Sequence, residues 1–496
     1  MELPSSTAQV DAASTESPAV PTTSAVGCTR PSRAPWGILG IGLLLRLVLA
    51  PYTAWNNDVA VWFHTSLSGY YGLHLYERPG FSYPPVWGYM LQIIGSAVRS
   101  LGLGSNFFGV YNPVFSSANS ATFDFTEVVT SPEFNVVFKS ILIGFDVATA
   151  FLVYRLVKQV TGDEHKAKLG FAACFLNPFL IYETAVQGAL DTIVGFSVLA
   201  TVVLLMDGRY FWAGSAWSLG ILTKLSPVVL APLLLVIIVG GFRSSNKSRI
   251  AQLGFFMLGG AVATAFLLGP EVLFGSIQSM LHNVFARTQE SVTIGGMSIT
   301  GIRYLRPFSG LLDWGFQNSA LLIRASSAAQ VVSVMAWAIW TAVMARKDPV
   351  FATLAGTVGT LASIMLLSPI SNPQYVLWWM PCLAALAVIV GKWYVHLGVL
   401  TVAPLVFTVA ILGPTAVLGP LATYTHLMPA TDLNAQVISW YLAPGKLWGA
   451  YFADDFFAPA SIVTVGTVIL LFARWIPKAF VLSPGPTQLS AVADAD

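Results

Sequence analysis

The sequence predicts an all-α protein, a polytopic transmembrane helical bundle of about 12 spans. Three observations carry this. Of the 496 residues, 55% are hydrophobic and only 10% charged, where soluble chains carry about a quarter charged. Mean hydropathy is +0.70. Apolar stretches approaching the ~20 residues needed to cross a hydrocarbon core recur along the whole chain. Other classes fall away on the same counts. Cys28, Cys174 and Cys382 are too few to staple a secreted scaffold of this length. A net charge of +2 without a dense basic patch does not suit nucleic acid.

In chain order the stretches lie near 36–54, 136–156, 169–186, 188–206, 211–225 and 227–242, then 252–274, 320–344, 349–369, 375–391, 393–412 and 458–475. The fifth and sixth are short and parted only by Ser226-Pro227, so one of them is expected to be broken or re-entrant. Short cytoplasmic loops collect Lys and Arg, and this orients the bundle. With a cytoplasmic N-terminus, one side receives Arg30, Arg33, Arg155, Lys158, Lys166, Lys168, Arg209, Arg243, Lys247, Arg249, Arg346, Lys347, Lys392, Arg474 and Lys478. The opposite side takes the long connections 55–135, 275–319 and 413–457 with most of the loop acids, including Asp58, Glu127, Glu290 and Asp454. Residues 1–33 read as a disordered cytoplasmic tail, its first part rich in Ser, Thr, Ala and Pro. It lacks the charged start and apolar centre of a signal peptide. Residues 34–477 form the membrane domain, and 478–496 a second cytoplasmic tail. Neither a 20–50-residue repeat nor a matched pair of broken helices is evident, unlike in many secondary transporters.

The first long external loop is the most informative stretch. It begins Trp55-Asn56-Asn57-Asp58 and continues through Trp62, His64 and Tyr70-Tyr71 to Phe81-Ser82-Tyr83-Pro84-Pro85-Val86-Trp87. An acid at the membrane boundary, then aromatics and a rigid Tyr-Pro-Pro corner, suits an interfacial sugar site. The plainer reading makes the aromatics an anchor belt and Asp58 a solvated loop residue. The apolar segment from Trp87 to Leu101 reads as a helix lying in the interface. Inside the membrane, Asp146 sits mid-span. Glu183, Gln187 and Asp191 share one face if helical, although Gly188 suggests a short external turn. Lys224 lies near the external ends of two spans. Such groups cost about 2.5–3.5 kcal/mol to insert, which makes a site or pathway the default reading. An Asp–Lys pair that only holds the bundle together is the alternative. Arg287, with Arg303 and Arg306, gives the 275–319 loop a cationic face on the side opposed by the positive-inside bias. Guanidinium binds phosphate bidentately, or it can snorkel to lipid headgroups. His64, His74 and His282 are not spaced as ligands, and no sequence pattern calls for a metal or other cofactor.

These motifs together resemble the GT-C superfamily of integral-membrane glycosyltransferases. The resemblance is closest to the branch holding the catalytic subunit of GPI mannosyltransferase I and actinobacterial polyprenyl-phosphate-mannose-dependent enzymes. Four matches carry it over residues 58–379. Asp58 is followed by Tyr83-Pro84-Pro85. Asp146-Val147-Ala148-Thr149-Ala150-Phe151 continues to Tyr154-Arg155. Asn177-Pro178, Asp191 and Thr223-Lys224-Leu225-Ser226-Pro227 come next in order. Last is Ser371-Asn372-Pro373-Gln374-Tyr375, running on to Trp378-Trp379. The first-loop acid is single here, where many relatives carry two in or near that motif.

The resemblance implies transfer of a hexose, with mannose expected, from a polyprenyl-phosphate donor to a lipid-linked or glycan acceptor, without a cofactor. It places the site on the extracytoplasmic face of a multi-pass protein in membrane lipid, in the plasma membrane of a prokaryote or the endoplasmic reticulum of a eukaryote. Inversion at the anomeric carbon needs one general base, for which Asp58 is the candidate. Arg287 and Lys224 are the candidates for the donor phosphate. Tyr83, Gln187, Asp191, Gln374 and Tyr375 would line the substrate, with Asp146 as a secondary site residue. The main rival is a transporter or flippase of lipid-linked sugars. A non-catalytic scaffold, the third class, would leave Asp58 facing solvent.

Overall fold

Several described helices begin where a capping side chain meets an apolar run. Ser131 accepts from the Phe134 amide at 3.0 Å, and Pro132 at the first helical position opens a 30-residue helix. Asp163, Asn177, Ser248 and Asp348 cap later helices in the same way. The computed structural model describes residues 35–53, 57–77, 81–111, 128–240, 248–286, 295–296, 319–425 and 458–479. The chain divides into Met1–Ala34 and Pro35–Asp496, and every described residue belongs to the second unit.

In order, the long helices are α1 (Trp36–Leu49), α2 (Asn57–Tyr71), α3 (Pro85–Ser100), α4 (Pro132–Thr161), α5 (Glu164–Phe175), α6 (Asp191–Met206) and α7 (Tyr210–Thr223). They continue as α8 (Ala231–Gly240), α9 (Arg249–Leu273), α10 (Ile277–Ala286), α11 (Ser319–Met344), α12 (Pro349–Leu367), α13 (Met380–Val390), α14 (Tyr394–Thr425) and α15 (Ala458–Trp475). Strand structure is minor. Gly109–Tyr111 pairs antiparallel with Val128–Thr130, and Gly295–Gly296 pairs parallel with Ile370–Ser371.

Each of the 12 expected apolar stretches falls on one of these helices or on the paired helix described next. Among the described residues four are long and apolar enough by themselves to cross a membrane: Pro132–Thr161, Arg249–Leu273, Ala320–Met344 and Pro349–Leu367. Glu164–Phe175 and Pro178–Gln187, bent by 44°, make a fifth if taken as one span. The bend falls at Asn177-Pro178, because proline cannot continue the preceding helix ladder. The break expected at Ser226-Pro227 is also present: Lys224 leaves α7 in an extended conformation, and a 3-10 turn, Ser226–Leu230, leads into α8.

Two apolar cores organise the molecule. The larger gathers around α13, whose Leu383, Ala384, Leu386 and Ala387 are wholly buried, with α6 and α12 against it. Around it, α9 and α11 turn Phe266, Leu273, Val331, Val332 and Ile339 outward, the exposed apolar surface a lipid-facing helix requires. The second core lies beneath α2 and α3. Trp62, Phe63, Trp87 and Leu91 pack on Phe134, Phe138 and Leu142 of α4 and on Ile193 of α6. In the expected 55–135 loop the described residues are therefore folded, and helix α3 occupies the place where an interfacial helix was expected. Lys139 of α4, fully buried, pins this layer. Its Nζ reaches the carbonyls of Ala50, Thr53 and Ala185 at 3.0, 3.2 and 2.8 Å.

Candidate functional site

Asp58 stands in the first turn of α2. Tyr83, on the extended corner before α3, donates its phenolic hydroxyl to Asp58 Oδ1 at 3.1 Å. The corner is itself held: the Tyr76 hydroxyl donates to the Tyr83 carbonyl at 2.8 Å, and the Trp62 ring lies 5.5 Å from that of Tyr83. Trp62 also donates its indole N–H to the carbonyl of Gly188 at 3.1 Å. This hydrogen bond ties α2, and with it Asp58, to the turn that precedes α6.

That turn has a local cause. Tyr182–Gln187 is wound as a π-helical turn and stops at Gly188, whose φ of 69° is left-handed and favours glycine. Glu183, Gln187 and Asp191 are consequently not on one continuous helix. Glu183 accepts from Thr408 of α14 at 3.1 Å, and Gln187 donates to the Tyr182 hydroxyl at 3.3 Å. Asp191 opens α6, and its Oδ1 accepts from Lys224 Nζ at 2.8 Å and from the Trp378 indole at 2.5 Å.

Lys224 reaches Asp191 because the α7–α8 break frees it from the helix surface. Its ammonium sits 4.5 Å from the Tyr375 ring centre and 5.3 Å from that of Trp378, within cation–π range. The two rings stack at 4.3 Å and 20°. Both come from the 3-10 turn Pro373–Trp378, which also carries the half-buried Gln374. Asp58 is near enough that its charge acts on Glu183, Asp191 and Lys224. Asp58, Tyr83, Gln187, Asp191, Lys224, Gln374 and Tyr375 thus lie on elements that meet in one region. Of the carboxylates there, Asp191 holds the Lys224 ammonium directly. Among the described residues no group of three His, Cys, Asp or Glu is placed to hold a metal ion.

One expected residue stands apart. Asp146 lies in the interior of α4, in a buried pair with Arg46 of α1 at 2.8 Å. Arg46 also donates to the Phe175 carbonyl at 2.8 Å and lies over that ring. Among the described residues Asp146 is linked to the site through Thr184, which donates to it at 2.7 Å from the π-helical turn. Arg287 lies outside the described residues, as do Arg303 and Arg306.

Several contributors carry no sequence signal of their own. Thr408 is one apolar-helix threonine among many, and Arg46 sits 100 residues from its partner. At the edge of the layer, Tyr89 of α3 donates to the buried Glu271 of α9 at 2.8 Å. Burial, with Glu271 beside them, pushes the phenols of Tyr76 and Tyr89 above their usual range, so both stay protonated donors at neutral pH.

Residues 133–369 match the model of Glycosyltransferase family 87, a family of GT-C-like membrane glycosyltransferases. The matched stretch contains Asp146, Gln187, Asp191, Lys224 and Arg287, and begins after Asp58 and Tyr83. No curated protein matches the chain. The match indicates a glycosyltransferase, whose substrates would be a sugar donor and an acceptor. Together with the apolar helices it points to a membrane protein.

Proposed function

We propose that the chain is an inverting glycosyltransferase that moves a hexose, mannose first among candidates, from a polyprenyl-phosphate carrier to a lipid-linked or glycan acceptor. Its 12 helical stretches cross the bilayer with both termini cytoplasmic, and the site opens on the extracytoplasmic face. One observation carries the reading. The Asp58–Tyr83 pair of the first loop meets the Asp191–Lys224 pair and the stacked Tyr375–Trp378 rings in one place.

In this reading the acceptor hydroxyl oxygen attacks the anomeric carbon, and the bond from that carbon to the phosphate oxygen breaks. The hydroxyl proton passes to the Asp58 carboxylate. The electron pair leaves with the polyprenyl phosphate, whose charge needs cations. Lys224 spends one N–H on Asp191 and keeps the others for phosphate. Arg287 is the candidate for a second cation on the phosphate. Tyr375, Gln374, Gln187, Asp191 and the Tyr83 corner shape the sugar pocket, since aromatic faces suit sugar C–H surfaces. Asp146 acts from behind, holding Thr184 and so the turn that carries Glu183 and Gln187.

The test is transfer in membranes supplied with radiolabelled polyprenyl-phosphate mannose, with glucose and arabinofuranose carriers in parallel and a panel of lipid acceptors. Asp58→Ala should reduce transfer to background while the folded protein stays abundant. Wild-type transfer by that variant would eliminate Asp58 as the base.

A further inference from the structure

Helix α6 begins at Asp191 and runs for 16 residues, about 24 Å at the helical rise. Its far end is therefore removed from the candidate site by most of a bilayer's depth. An open groove of about 500 Å³ runs between α6, α7 and α9, from Phe196 and Leu219, five residues from Asp191 and Lys224, to Arg209 at the far end. Ala200 and Leu204 of α6, Ala216 of α7 and Phe266 of α9 form apolar walls, and Arg209 supplies the charge. The hydroxyl of Ser215, also in the groove, is already committed to the carbonyls of Phe211 and Gly259.

Arg209 is exposed, and among the described residues its guanidinium has no carboxylate or hydrogen-bond partner. The nearest acid in sequence, Asp207, is taken. Arg155 holds one of its oxygens at 2.5 Å and Gln159 the other at 3.1 Å. One turn beyond Arg209, the Trp212 side chain is 61% exposed, the placement indoles adopt at headgroup level. An apolar trough ending in a guanidinium unpaired among the described residues and an indole matches a molecule with a hydrocarbon chain and an anionic phosphate head.

We propose that this groove binds an anionic glycerophospholipid, its phosphate on Arg209 and an acyl chain along α6 and α9, at a site separate from the sugar-transfer site. The choice of an anionic head follows from charge complementarity: a zwitterionic lipid brings its own cation to compete with Arg209.

Native mass spectrometry of the purified full chain in detergent tests this, with phosphatidylglycerol, phosphatidylcholine and sodium phosphate as probes. Wild type should retain phosphatidylglycerol in preference to phosphatidylcholine, and millimolar phosphate should not displace it. Arg209→Gln should weaken retention about tenfold, Arg209→Lys less. Ala216→Phe, which fills the trough but leaves the charge, should weaken it too. Equal retention by wild type and Arg209→Gln, or equal binding of the two lipids, would overturn the proposal. Displacement by inorganic phosphate would also overturn it, by reducing the groove to a simple anion site. The readout is binding, so it stands whether or not sugar transfer is found.

Discussion

The Tyr83 hydroxyl meets the Asp58 carboxylate at 3.1 Å across 25 residues of chain. The half-buried acid is thereby oriented by a phenol that is itself fixed through the Tyr83 carbonyl and the Trp62 ring. Of the functional classes read from sequence, a scaffold would leave Asp58 in open solvent. A positioned carboxylate with one oxygen held is the arrangement a general base requires.

Tyr83→Phe removes that hydroxyl and leaves the ring packing. A hydrogen bond to a charged group contributes ~1.5–3 kcal/mol, so transfer should slow by about 10- to 100-fold. Initial rates in membranes, normalised to folded protein, measure it. An unchanged rate would remove Tyr83 from the positioning of Asp58.

The Asp191–Lys224 pair should behave as a unit. Asp191→Asn or Lys224→Met alone leaves a buried partner uncompensated, at a cost of about 3–5 kcal/mol, and should lower the melting temperature in detergent sharply. The double variant should recover most of the loss in melting temperature, with a coupling energy in a double-mutant cycle, yet should not recover transfer. A double variant whose destabilisation equals the sum of the singles would show that the pair is not the unit.

Much of the site was legible because charge is so scarce in this chain. Asp58, Asp191 and Lys224 stand out against apolar sequence, and Tyr83 and Tyr375 sit in short polar-aromatic motifs beside them. What was illegible depends on contacts that leave no local pattern. Lys139 is satisfied by backbone carbonyls of Ala50, Thr53 and Ala185, and carbonyls carry no residue signature. The partner of Asp146 leaves no local sign, because Arg46 lies a helix away in α1. The 55–135 connection was expected as a loop with one interfacial helix. Its second helix and shared core with α4 depend on Trp62, Trp87 and Phe138 meeting across the fold.

Arg46 and Asp146 separate structural support from direct participation. Arg46→Leu or Asp146→Leu alone should destabilise by roughly 3–5 kcal/mol, whereas the Leu/Leu double variant should approach wild-type stability. Transfer by the double variant should fall, since Thr184 loses Asp146 and keeps the Leu180 carbonyl of its own turn as acceptor, but far less than in Asp58→Ala. Transfer at background in a stable double variant would place Asp146 in direct contact with substrate.

At Gly195, α6 rests on the turn that carries Tyr375 and Trp378. A Cβ at Gly195 would lie 2.4 Å from the Leu377 carbonyl oxygen, about 1 Å inside ordinary contact distance. The obstacle is backbone, so it cannot rotate away, and Gly195→Ala must push the 373–378 turn off α6. The Trp378 indole would then leave Asp191, and the stacked rings would shift beneath Lys224. A misplacement of about 1 Å can cost roughly 100-fold in rate, so kcat should fall and the donor KM rise while the protein still folds. Gly144→Ala, in α4 with nothing within 4 Å of its added Cβ, is the control and should match wild type in both. Unaltered kinetics in Gly195→Ala would mean that the aromatic turn does not shape the donor pocket.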